Sequence, residues 1–238
     1  MSKKAWTIAK INLRTLRILW LPASTTALAM LISSVISAIL MRTQIEVGSD
    51  ISPINALWLM PVMVAIAIPA FSYRRVINLG GKRNSFFAGG IITYVVIAAI
   101  VSFFVTLFNF TIEPIFERSA YFDPNFLGGI VNLVEVFGWA NRGFMVAFFQ
   151  QFAFLVFFSA FVHTLAAAHS RWYGWVADVA IIAIISVFTP IPILRRSLVW
   201  FFNLILFHPN ALVQIAGCLV LAAVVYGISK PILARKAL

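Results

Sequence analysis

Charge is what this sequence most lacks. Only 11% of its 238 residues are Asp, Glu, Lys or Arg, and only seven are acids. A soluble domain carries roughly 25%, so a water-soluble enzyme or binding domain of this size is excluded. The single cysteine, Cys218, sits in an apolar run and rules out an intrachain disulfide scaffold. Ten prolines and twelve glycines are ordinary for the length and exclude collagen-like and low-complexity chains. Gly-x-x-x-x-Gly-Lys-Ser/Thr, Gly-x-Ser-x-Gly and His-Glu-x-x-His are all missing, so no known catalytic motif is visible and the chain reads as a non-enzyme. His163, His169 and His208 lack ligand spacing, and no metal or cofactor site is expected in this chain.

What the chain does have is hydrocarbon. Hydrophobic residues make up 62%, and mean hydropathy is +0.99. That composition predicts an all-α integral membrane protein forming a single domain over residues 1–238. A crossing helix needs about 20 apolar residues. Six runs meet or approach this length: 18–41, 54–71, 88–110, 144–168, 175–188 and 211–228. The fifth is short and carries Asp178. A further apolar piece, 197–207, is too short to span. It falls in a region, 190–209, bounded by Pro190, Pro192 and Pro209, and is expected to be re-entrant or interfacial. The first run begins near Ile18 and is long enough to cross, so it does not read as a cleaved signal peptide.

Eighteen Lys and Arg against seven acids give +11. In a soluble protein this would point to nucleic acid. Here the cations lie between apolar runs, so they set orientation in a membrane instead, and no nucleic-acid partner is expected. Six spans put both termini on one side. Thirteen of the eighteen cations fall on that side, Lys3, Lys4, Lys10, Arg74, Arg75, Lys82 and Lys230 among them. The positive-inside rule makes it the cytoplasm. Glu46, Asp50, Glu113, Glu117, Asp123 and Glu135 all fall outside. The expected location is a cell membrane of bacterial plasma-membrane type.

The first twenty residues read as an amphipathic helix. Trp6, Ala9, Leu13, Leu16 and Trp20 recur at spacings of three and four, and Lys10, Arg14 and Arg17 mark another face. Such a helix lies at the cytoplasmic interface in contact with lipid headgroups, as an elbow before Pro22 and the first span. In that span Ala29, Ser33 and Ser37 form a small-residue stripe suited to close helix packing, within or between subunits.

Between the second and third runs, residues 72–87 combine a helix end, a turn at Gly80 and Gly81, and a new helix start that Asn84 or Ser85 is placed to cap. The string Arg75-x-x-Asn78-Leu79-Gly80-Gly81-Lys82-Arg83-x-x-Phe86-Phe87 resembles the coupling loop of ABC-2 type transporter permeases. The elbow, the six spans and the re-entrant piece before the sixth resemble that family's layout over nearly the whole chain. The resemblance implies a membrane-spanning permease subunit whose loop, through Arg75, Leu79, Gly80, Gly81, Lys82 and Arg83, docks on a separate nucleotide-binding subunit. ATP and Mg would belong to that partner. A second permease copy or a similar permease would complete the pathway, and the direction implied is export of a hydrophobic or amphipathic substrate. A secondary transporter, or a small-molecule-binding or sensory membrane subunit without a docked ATPase, is the alternative.

Asp178 is the one acid in an expected span. Intramembrane ionisable groups default to functional hypotheses: a cation or proton site, a structural partner to another helix, or, given Trp172, Tyr173 and Trp175 beside it, a solvated interface position. Arg171 reaches it only by stretching. Arg195 and Arg196 are expected outside, either as snorkelling anchors or as contacts for lipid phosphate or an anionic substrate. The external stretch 111–142 carries most of the acids, and its segment 130–139 is expected to form a short surface helix. Among 23 Phe, those at 148, 149, 152, 154, 157 and 158 crowd the fourth span and face lipid, neighbouring helices or an apolar substrate.

Overall fold

The computed structural model describes residues 3–15, 52–112, 132–169 and 172–234, and every regular element among them is helical. The run at Ile54 becomes one long helix, α2 (Ile54–Asn78). It enters through a 3-10 turn with Pro53 at the start, where no backbone N–H is needed. Its ladder widens into a π turn over Ile68–Ser72, because Pro69 removes a donor and crowds the carbonyl one turn back. α3 (Arg83–Thr111) and α5 (Phe144–Ala168) follow, joined past the short α4 (Leu133–Val136). α6 (Trp172–Phe188) and α7 (Pro192–Phe202) precede α8 (Ala211–Ala234). A helix α1 (Lys3–Thr15) opens the chain.

Four of these helices, α2, α3, α5 and α8, are long and apolar enough to cross a membrane. α6 meets α7 and its π continuation, Asn203–Phe207, at a 117° bend, and this pair is a fifth crossing if counted as one span. The architecture is that of a multi-pass helical membrane protein. The expected first span, 18–41, lies outside the described residues, as does most of the external stretch 111–142. The runs at 54, 88, 144 and 211 are helices of crossing length, and their ends move. α8 runs on through Pro231, six residues past the expected stop at 228. The piece expected at 197–207 is part of a longer helix that starts at Pro192, a proline placed where it begins a helix and does not interrupt one. The surface helix expected at 130–139 shrinks to Leu133–Val136, because Gly138 takes φ +70 and turns the chain.

α5 is the central post, with α2, α3 and α8 packed round it. Its Ala147, Ala153, Ala160 and Ala167 are fully or nearly fully buried and let the neighbours approach closely. In hydrocarbon, such packing rather than the hydrophobic effect holds helices together.

Two sets of contacts fix the ends of the bundle. At one end Asn132 donates to the Asn109 side chain (2.7 Å), Leu133 N–H donates to the Asn55 side chain (3.3 Å), and Arg142 Nη2 donates to the His208 carbonyl (2.9 Å). An aromatic cluster of Trp58, Phe137, Trp139 and Phe154 closes this end, with ring centroids 5.0–6.4 Å apart. At the other end the Tyr73 hydroxyl donates to the Leu233 carbonyl (2.8 Å), and its ring meets Phe86 edge-on at 5.3 Å. This second end carries the exposed cations Arg74, Arg75, Lys82, Arg83 and Lys230; we call it the basic end.

Candidate functional site

The basic end is built on a turn whose geometry follows from two glycines. α2 stops at Asn78, and Gly80 takes φ +78, a conformation that costs an L side chain roughly 1–2 kcal/mol. Gly80 N–H then donates to the Ile77 carbonyl and Gly81 N–H to the Val76 carbonyl, both at 2.9 Å, which satisfies carbonyls left over at the helix end. Gly81 is needed for a different reason: a Cβ there would stand 2.7 Å from the Val76 carbonyl oxygen. Lys82 is extended and α3 begins at Arg83. Asn84 and Ser85 therefore fall inside the first helical turn and do not cap it; the cap position is Lys82, with no side-chain cap bond.

The turn displays Leu79, which is 79% exposed, among the exposed Arg74, Arg75, Lys82 and Arg83. Phe86 points the other way and is buried against Tyr73. Among the positions that carry the family resemblance, Arg75, Leu79, Gly80, Lys82 and Arg83 form the surface, while Phe86 and Phe87 anchor the turn to the bundle.

α1 lies against the first turns of α3. Gly89 makes room for it: a Cβ there would meet Ile8 Cγ2 at 2.8 Å and the Ala5 carbonyl at 3.0 Å. The buried face is Ala5, Ile8, Ala9 and Asn12, with Leu13 at its edge and Trp6 53% exposed. Sequence periodicity finds this helix but centres its apolar face on Trp6. The small residues go inward because close approach to Gly89 leaves no space for an indole. Leu16, Arg17 and Trp20 lie outside the described residues.

Asp178 sits near the start of α6, with its side chain 34% exposed and an oxygen 3.1 Å from His169 Nδ1. The His169 ring lies 4.5 Å from Trp175. The partner is thus a histidine at the end of α5, across the break between helices, and the pair is half-open to solvent. Arg171 lies outside the described residues. Arg195 and Arg196 are exposed on the first turns of α7. No group of three or more His, Cys, Asp or Glu among the described residues is placed to hold a metal.

The interior polar groups are what sequence reading missed. Tyr94 Oη lies 2.5 Å from His163 Nδ1, and both residues are buried. Tyr226 reaches across from α8, its ring 5.0 Å from His163 and its hydroxyl donating to the Phe87 carbonyl at 2.9 Å. Gln150 donates to Gln214, which in turn donates to the Ile205 carbonyl (3.0 Å). The available signal was Gln150 and Gln214, each inside an otherwise apolar run, since amides in hydrocarbon need partners. Beside Tyr94 and Tyr226 a cavity of about 320 Å³ opens between α3 and α8, over Val156 and Ala160 of α5.

Comparison with family models, characterised proteins and solved structures finds no match for this chain.

Proposed function

We propose that this chain is the membrane-spanning permease subunit of an ATP-driven ABC transporter of the ABC-2 type, exporting a hydrophobic or amphipathic substrate, with ATP and Mg bound by a separate nucleotide-binding subunit. The observation that carries the reading is the turn at the basic end. A leucine 79% exposed, held by a glycine-stabilised turn and ringed by cations, has no role in packing its own bundle. It has the form of a contact for another protein: an apolar anchor with a basic rim. α1 and the end of α8 lie beside it, so a docked subunit would touch elements that lead into three helices.

Orientation is part of the proposal. The basic end faces the cytoplasm by the positive-inside rule. α1 lies at this end, whereas α2 starts after Ser52 at the opposite end, where Asn55 accepts from Leu133 N–H. In this reading the apolar run 18–41, which lies outside the described residues, would cross between the two ends. The orientation is checked by single cysteines placed in a Cys218→Ala background. A membrane-impermeant maleimide added to intact cells is expected to label Asn141→Cys and Asn210→Cys and to spare Leu79→Cys and Lys4→Cys. Labelling of Leu79→Cys in sealed cells would reverse the topology.

Docking is tested by a pull-down from mild detergent, comparing the native chain with a Gly80→Pro, Lys82→Glu, Arg83→Glu variant. ATPase activity is expected to copurify with the native chain and to be lost with the variant, provided the variant inserts equally well. Native protein without associated ATPase would favour a second reading, a secondary transporter or small-molecule-binding subunit. The observation on that side is the buried Tyr94–His163 pair within the spans, the kind of intramembrane polar group such proteins use.

A further inference from the structure

The cavity between α3 and α8 is aligned with two of the cations at the basic end. On α3, Phe87, Ile91 and Val95 line it at four-residue spacing. Extending that spacing one turn toward the basic end reaches Arg83, which is exposed. On α8 the lining residues Leu219, Ala223 and Gly227 also follow a four-residue stripe, and three residues further on the same face is Lys230, also exposed. Residues three or four apart share a helix face. The two helices touch at this level, since the Phe87 and Tyr226 rings are 4.1 Å apart and Tyr226 bonds the Phe87 carbonyl. A side chain added at Gly227 would meet nothing within 4 Å, so the space is open there. Ile91, Leu219 and Ala223 are exposed at its mouth, which therefore opens sideways toward lipid.

We infer that this groove is a binding site for an anionic phospholipid of the leaflet at the basic end, with one acyl tail in the cavity and the phosphate between Arg83 and Lys230. The volume, about 320 Å³, is at the small end of ligand sites and fits one chain rather than a whole lipid. Apart from two phenols the lining is hydrocarbon, which suits a tail. The two cations, one turn beyond the lining on each helix, select the head, because basic pockets between helices at a membrane face hold anionic headgroups. The site stands on this chain alone and does not depend on a docked ATPase.

The test is native mass spectrometry of the full-length chain in detergent, titrated with phosphatidylglycerol or phosphatidylcholine. The native chain is expected to retain phosphatidylglycerol preferentially. Arg83→Gln and Lys230→Gln should each reduce that preference about fivefold, and the Arg83→Lys, Lys230→Arg double variant should keep it. Arg74→Gln, which removes an exposed cation off this stripe, should leave it unchanged. Gly227→Leu, which fills the cavity, should reduce retention of both lipids. Equal retention of the two lipids by the native chain would overturn the proposal. So would an Arg74→Gln effect as large as that of Arg83→Gln, or full retention by Gly227→Leu. Matching elution volume and helical circular dichroism across the set keep misfolding from imitating a lost site.

Discussion

Trp139→Ala is expected to be the most damaging single truncation in the described bundle. Its indole is fully buried and stacks on Trp58 at 5.9 Å, with Phe137 at 5.0 Å and Phe154 at 5.9 Å. Its Nε1 donates to the Leu206 carbonyl at 2.9 Å, tying the turn before α5 to the π turn after α7. Removing a buried tryptophan costs about 3–5 kcal/mol. The truncation also strips the Leu206 carbonyl of its side-chain donor at a crowded helix end. Trp139→Phe keeps most of the ring contact and loses the bond, worth about 1 kcal/mol. Met145→Ala, at a side chain 67% exposed on α5, is the control and should be near neutral. Thermal melts in one detergent should rank the three as Trp139→Ala, Trp139→Phe, Met145→Ala from least to most stable. If Trp139→Ala melted with Met145→Ala, the aromatic cluster would not be holding α5 to the α7–α8 connection.

The second large effect is expected at the turn, where adjacent glycines should fail in different ways. Gly81→Val places its Cβ 2.7 Å from a backbone carbonyl, which cannot swing aside as a flexible side chain would. The turn itself must shift, and overpacking of this kind costs about 1–3 kcal/mol. A Cβ added at Gly80 would have nothing within 4 Å, so Gly80→Ala carries only the strain of φ +78, roughly 1–2 kcal/mol. Gly80→Asn should be milder still, since asparagine tolerates that region. Limited trypsin digestion at Lys82 and Arg83 reads the local effect. Cleavage should accelerate most in Gly81→Val and least in Gly80→Asn. Faster cleavage of Gly80→Ala than of Gly81→Val would mean that backbone conformation, and not the approach to Val76, governs the turn.

The same turn shows how far sequence reading reaches. Two adjacent glycines after an apolar run, followed by cations, identify a helix stop and an exposed connection, because the chemistry of stopping a helix is local. The cap expected at Asn84 or Ser85 fails because α3 begins at Arg83, one residue before Asn84. That start depends on where α2 ends and how Phe86 seats against Tyr73, which is tertiary information. α1 is legible as a helix but not in its seating, since burial of Ala5 and Ala9 answers to Gly89, far away in the chain. Asp178 stands out in the sequence, but its partner His169 lies across a helix break where no periodicity applies.

What the sequence determined by itself is the class of protein and the positions of most of its helices. Too few charges to cover a soluble surface, and apolar runs of crossing length, leave few alternatives, because hydrocarbon demands that each segment satisfy its own backbone. Gly80 and Gly81 also marked where α2 stops, whereas Pro231 did not end α8. What only the tertiary structure decided is which polar side chains meet inside. Tyr94, His163 and Tyr226 come from three helices, and the stripes and cations that flank the cavity come from two of them. Their juxtaposition depends on how far each helix rotates about its own axis. In a span that is apolar on every side, no hydrophobic face marks that rotation, so packing at the small residues of α5 and at Gly89 and Gly90, together with the hydrogen bonds between helices, sets it.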